Sequence, residues 1–174
     1  DSSTSRGLGD VYKRQPVRIF TNNDRDKTDI LVEIFIPRER FAEFIPAARK
    51  WMIGQSESLL NVTIREISKD SDTALPYAKK DMFGLVMLFT IDRTREAENA
   101  LQIKVSGLID LALAQGGTFY LPYRNYADSR QMNKAYPELG EFISFKKKHD
   151  PSEIFSSDFY SYLLRSIKQD NPSP

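Results

Sequence analysis

The chain has 174 residues, 40% hydrophobic and 28% charged, with a formal net charge of +1. That length suits one domain and the composition is that of a folded chain, while so small a charge supplies none of the basic field that nucleic acid or an anionic membrane would attract. The absence of cysteine excludes disulfides and thiolate chemistry and fits a reducing, cytoplasmic setting; the single histidine, His149, excludes a multi-histidine metal centre within the chain, and no apolar run reaches the roughly 18 residues of a membrane span.

Residues 1–15 carry neither apolar periodicity nor the apolar core of a signal peptide. They resemble translated adapter sequence and are read as a non-native or disordered leader, outside the fold. Residues 16–126 then form the main domain, and 127–174 a helical segment packed on it or on a neighbouring domain.

Asp29 to Pro37 is β-branched and apolar and predicts a strand, with Ile30, Val32, Ile34 and Ile36 on one face and Leu31, Glu33 and Phe35 on the other. Phe41, Phe44, Ile45, Ala48 and Met52 recur at helical spacing, with Pro46 predicting a kink or a late start. Leu59 to Ile67 alternates, Leu60, Val62 and Ile64 against Asn61, Thr63 and Arg65. Asp81 to Ile91 predicts a third strand, apolar on both faces, whose second face needs a cover. Thr94 to Gln115 predicts a long helix with Glu96 and Glu98 in its first turn, stopped by Gly116-Gly117, and Thr118 to Tyr123 a fourth strand.

This β-α-β-β-α-β order predicts an α+β fold, a ferredoxin-like antiparallel sheet with helices on one face and the first and third strands central. Beyond it, Asp128 to Leu139 has a weak helical pattern and Phe142 to Lys148 predicts a short helix. Asp150 suits an N-cap, with Pro151 at the first helical position and Glu153 completing a capping box. The end, Gln169 to Pro174, is expected to fray.

No phosphate-cradling glycine loop, metal-ligand spacing or Ser/His/Asp set is present. His149 sits among lysines beside a turn and reads as a solvated residue. Polar side chains on strand faces that should be apolar need a polar partner, and this selects Glu33, Asn61, Thr63 and Arg65. They form a site, or else Glu33 and Arg65 are a structural ion pair and Asn61 and Thr63 a solvated edge. Tyr120 and Tyr123 cannot both face one side of a regular strand, because their spacing is odd; Pro122 between them can twist it.

Several motifs in order carry a resemblance. Leu31, Glu33, Phe35 and Pro37 form Leu-x-Glu-x-Phe-x-Pro; Asn61 to Arg65 reads Asn-Val-Thr-Ile-Arg; Tyr120, Pro122 and Tyr123 follow the glycine pair. Ala135-Tyr136-Pro137 and a Lys-His-Asp-Pro turn at 148–151 come last. Together they resemble the C-terminal cap domain of FAD-linked oxidases of the vanillyl-alcohol-oxidase type, over roughly Thr28 to Leu164. From Gly116 to Asp158 the chain is also similar to decaprenylphosphoryl-ribose oxidases, but those carry an active-site lysine where Tyr123 stands. That departure counts against a polyprenyl-phosphate sugar.

The resemblance implies a cap whose sheet roofs the flavin, with FAD bound mainly by an N-terminal FAD-binding domain of the same protein. The substrate would be a small alcohol or sugar-like hydroxyl compound, its hydride passing to the flavin. Arg65, Glu33 and Tyr120 would be the catalytic residues, with Asn61, Thr63 and Tyr123 binding substrate. The alternative is a non-catalytic ferredoxin-like ligand-binding or dimerisation module. An RNA-recognition reading of Phe83-Gly84-Leu85 fails, since Asp81 and Met82 precede the phenylalanine and Leu85 replaces the second stacking aromatic.

Overall fold

The computed structural model describes residues 24–53 and 58–168. The expected leader and the frayed end lie outside them. Strand β1 (Lys27–Pro37) leads through a 3-10 turn (Arg38–Arg40) into helix α1 (Phe41–Met52), followed by β2 (Leu59–Ile67), β3 (Met82–Asp92), α2 (Arg95–Ala114) and the short β4 (Thr118–Phe119). Helices α3 (Ser129–Ala135), α4 (Leu139–His149) and α5 (Asp158–Lys168) complete a mixed α/β chain. The strands form one antiparallel sheet in the order β2-β3-β1-β4.

The most apolar strands, β1 and β3, take the two central places, where both neighbours and both faces remove them from water. Ile30, Val32 and Ile34 of β1 pair with Phe89, Met87 and Leu85 of β3, so their side chains share one face. Helix α1 presents Phe44, Ala48 and Met52, one side of a 3.6-residue period, and α2 presents Leu101, Val105, Leu108 and Ala112. All join those strand residues in a single apolar cluster, so both helices lie on that face. Burying each such side chain is worth about 1.5–3 kcal/mol.

The ends of α2 set where β4 begins. Thr94 caps the N-terminus, its side chain accepting from the Ala97 amide at 3.2 Å. At the other end Gly116 has φ +73°, a left-handed conformation that closes the helix, and the Gly117 amide donates to the Ala112 carbonyl at 2.8 Å. A Cβ on Gly117 would stand 2.4 Å from the Phe35 carbonyl, so only glycine lets the chain pass this close to β1.

Helix α1 starts at Phe41 and runs through Pro46, so the late start is set aside; Pro46 is exposed, and the Ala42 carbonyl one turn back loses its helical donor. Three expectations need correction. The fourth strand stops at Phe119, not Tyr123, because the chain turns at Leu121 and Pro122 has no amide to give a ladder. Asp150 caps no helix: its carboxylate takes Lys146 Nζ at 2.7 Å and the Ile154 and Phe155 amides at 2.9 and 3.0 Å. Glu153 sits at φ +51°, which no helix allows, and the helix starts later, at Asp158. Finally, Leu60 occupies an irregularity in the β2–β3 register, so the even face of β2 is only Val62 and Ile64, and both are largely open to solvent.

The segment after Ala127 packs α3 on α2 and α5 on α3 and α4, on the helix side of the sheet. Asp128 and Gln131 form a reciprocal capping box at α3. The buried Tyr136 donates its hydroxyl to the Phe119 carbonyl and holds β4 from beneath. None of these helices covers the other face of β3.

Candidate functional site

That second face carries, from the β2 edge inward, Asn61, Thr63 and Arg65, then Leu88, Val86 and Gly84 of β3, then Leu31, Glu33 and Phe35 of β1. Its floor is apolar and part of it is open: Leu31 is 40% exposed. At Gly84 the place of a side chain is taken by its neighbours, since a Cβ there would meet Ile67 Cδ1 at 2.7 Å and the Phe35 ring at 3.2 Å. Arg65 lies opposite Gly84 in the strand register and is exposed.

Aromatic rings wall the β1 side. Phe35 is buried because Tyr77, from the loop between β2 and β3, stacks on it at 4.5 Å. Tyr120 meets Phe35 and Tyr77 edge-on at 6.3 and 5.7 Å, and Tyr123 meets Tyr120 at 4.9 Å. The Tyr77 loop is tied down by Thr118, whose hydroxyl donates to the Tyr77 carbonyl, and by the Asp70 amide, which donates to the Ala78 carbonyl at 2.8 Å. Beyond Tyr123 the chain is tethered to α2: Arg124 pairs with Glu98, and the Tyr126 hydroxyl donates to Glu98 at 2.9 Å.

The early end of β4 resolves the odd spacing of the two tyrosines. The Tyr120 amide still reaches the Glu33 carbonyl at 3.0 Å, and the turn at Leu121-Pro122 swings Tyr123 back over the same residue. The Tyr123 hydroxyl donates to Glu33 Oε1 at 3.2 Å. Burial, then the negative charge of Glu33 and their hydrogen bond, raise the Tyr123 pKa above its ordinary value, so the phenol keeps its proton at neutral pH. The positive charge of Arg65 acts on Tyr123 in the opposite sense.

Glu33, Tyr120, Tyr123 and Arg65 are thus gathered on one face, with Thr63 and Asn61 along its β2 edge. The anticipated Glu33–Arg65 ion pair is replaced by Tyr123 on Glu33; in β2 it is Glu66 that pairs, with Arg38 at 3.7 Å. Asn61 and Thr63 bond each other at 3.5 Å. Tyr77 and Gly84 belong to the site and escaped the sequence reading; the only local signal for Tyr77 was an aromatic after Pro76 in a loop. Behind Glu33 a cavity of about 20 Å³, bordered by Val105, Tyr123 and Tyr126, has room for roughly one water.

His149 is exposed, with its ring 4.3 Å from that of Phe145 and far in sequence from the site. Among the described residues no group of His, Asp or Glu could hold a metal ion, and no helix is long and apolar enough to cross a membrane. No family model matches the chain, and no curated protein matches it.

Proposed function

We propose that the chain is the cap of an FAD-dependent oxidoreductase that oxidises an alcohol or sugar-like hydroxyl, the FAD being held mainly by a separate FAD-binding domain. The observation that carries this reading is the convergence of Glu33, Tyr120, Tyr123 and Arg65 on one open sheet face. We read the fold as ferredoxin-like; the neighbouring central strands β1 and β3 and the two helices on one face support it.

The residues fit a planar ring and not a dinucleotide's phosphates. Leu31 and Leu88, both partly open, give an apolar floor beside Glu33 where a ring can lie, whereas the sequence has no glycine loop for a diphosphate. When bound, the flavin would supply the hydride acceptor. The chain's own residues would do the rest. Glu33 takes the proton of the substrate hydroxyl on the carboxylate that Tyr123 orients through its hydrogen bond. Arg65 holds the negative charge that develops on the substrate oxygen. Tyr120 and Tyr77 wall the substrate on one side, and Thr63 and Asn61 offer hydrogen bonds on the other.

Glu33→Gln in the holoenzyme tests the assignment. Glutamine keeps the acceptor for Tyr123 but cannot take up a proton at neutral pH. Flavin reduction by substrate should slow by about 10²–10⁴-fold, the usual contribution of a positioned base. An unchanged reduction rate would remove Glu33 from the chemistry.

A further inference from the structure

Among the described residues, strand β2 is an edge, paired only with β3, and the other side of its backbone is unpaired. Natural edge strands are blunted by charge, proline or brevity. This one runs nine residues, Leu59–Ile67, without proline, and charge enters only at Arg65 and Glu66. Val62 and Ile64 are 41% and 53% exposed, although they lie on the helix side of the sheet. Val62 also lines an apolar groove along α1, with Ile45, Ile53 and Leu59.

We infer that this edge pairs with the same edge of a second copy, antiparallel and two-fold symmetric about Thr63. The charge pattern of β2 selects both the occupant and the register. Centred on Thr63, Val62 lies opposite the partner's Ile64 and Ile64 opposite the partner's Val62. Arg65 lies opposite the partner's Asn61, so no like charges meet. Centred one residue on, at Ile64, the apolar Val62 would face the partner's Glu66. The irregularity at Leu60 ends regular pairing on one side, and Glu66, drawn back by Arg38 at 3.7 Å, ends it on the other. That leaves Asn61 to Arg65 in each copy, a stretch whose centre is Thr63.

Edge pairing lies in the plane of the sheet and leaves the face with Glu33 and Arg65 open. It brings the partner's Asn61 beside Arg65, at the roughly 5 Å separation of directly opposed side chains. Each site then gains an amide from the other copy. This inference stands independently of the flavin reading.

Sedimentation equilibrium of the full chain tests it. At about 100 μM, a concentration at which even micromolar pairing is complete, the mass should be twice 20.0 kDa. Val62→Lys with Ile64→Lys should return it to 20.0 kDa with an unchanged circular dichroism spectrum. Ile103→Lys and Phe155→Ser, at the exposed positions on α2 and in the loop before α5, should leave the double mass. The register has its own readout, because the chain has no cysteine. Mild oxidation of Thr63→Cys should give a covalent dimer, since directly opposed Cα atoms lie within disulfide range, whereas Ile67→Cys should not. A single-copy mass for the unaltered chain, a double mass that survives the lysines, or equal cross-linking at both positions overturns the inference.

Discussion

Trp51 and Gly107 show how one missing methyl fixes a contact between the two sheet-covering helices. The indole of Trp51 donates to the Lys104 carbonyl at 3.0 Å, and its ring lies across Gly107, where a Cβ would stand 2.2 Å from Cζ2. Glycine inside a helix normally costs about 1 kcal/mol relative to alanine. Here the sign should reverse. Gly107→Ala should destabilise the chain by about 1–3 kcal/mol, the cost of overpacking. Because Trp51 is the only tryptophan, its fluorescence reports the displaced ring directly. A higher melting temperature with unchanged emission would show that the ring does not rest there. Tyr123 makes a comparable point at the site, since its hydrogen bond to Glu33 depends on a turn that residue spacing alone does not reveal.

Among the elements, the Asp150 turn is held by a carboxylate and so depends on pH. Its carboxyl is held below its ordinary value, first by Lys146 and then by the Ile154 and Phe155 amides. A depressed folded pKa contributes stability that is fully present above the unfolded value, about 3.9, and is lost as pH falls through the folded value. Unaltered protein should therefore melt above Asp150→Asn near pH 6, and the gap should close below about pH 4. Paired melts across this range read the difference; a gap independent of pH would mean that the ionised carboxylate does not hold the turn. Local pattern made β1, β2, β3, α1 and α2 legible: period-two alternation, a 3.6-residue apolar stripe, an acidic first turn and a glycine stop act within a few residues. The rest was decided at a distance or at another position. Asp150 to Glu153 has the spacing of a capping box, but Lys146 one turn earlier claims the carboxylate. β4 was overextended because its pairing with β1 ends where Pro122 turns the chain. Helix α5 was placed too early, from Pro151, whereas it begins at Asp158, with Tyr160 and Leu163 buried.

At the scale of the whole molecule, the two faces of the sheet have different fates. One is covered by α1 and α2, with α3 packed on α2, except at the β2 edge, where Val62 and Ile64 stay exposed. Among the described residues the other is covered at one end by Tyr77 and its loop, and keeps Leu31 and Arg65 open beside Glu33. Glu33, Asn61, Thr63 and Arg65 were legible from alternation, since polar side chains on an otherwise apolar strand face stand out; Tyr120 and Tyr123 were drawn from the resemblance. The bond of Tyr123 to Glu33 and the cover over Phe35 were not legible, because they depend on the turn at Leu121-Pro122 and on Tyr77 crossing from a loop.

The role of Arg65 in the holoenzyme tests the flavin reading most directly. Arg65→Met keeps the aliphatic stem and removes the charge. An exposed arginine that only decorates a strand would cost about 0–1 kcal/mol of stability and nothing in rate. If Arg65 holds the charge that develops as the substrate is oxidised, stopped-flow flavin reduction should slow on the order of a hundredfold, the loss of one preorganised donor, with the thermal melt nearly unmoved. A reduction rate equal to that of the unaltered enzyme, in a variant that melts normally, would contradict the account.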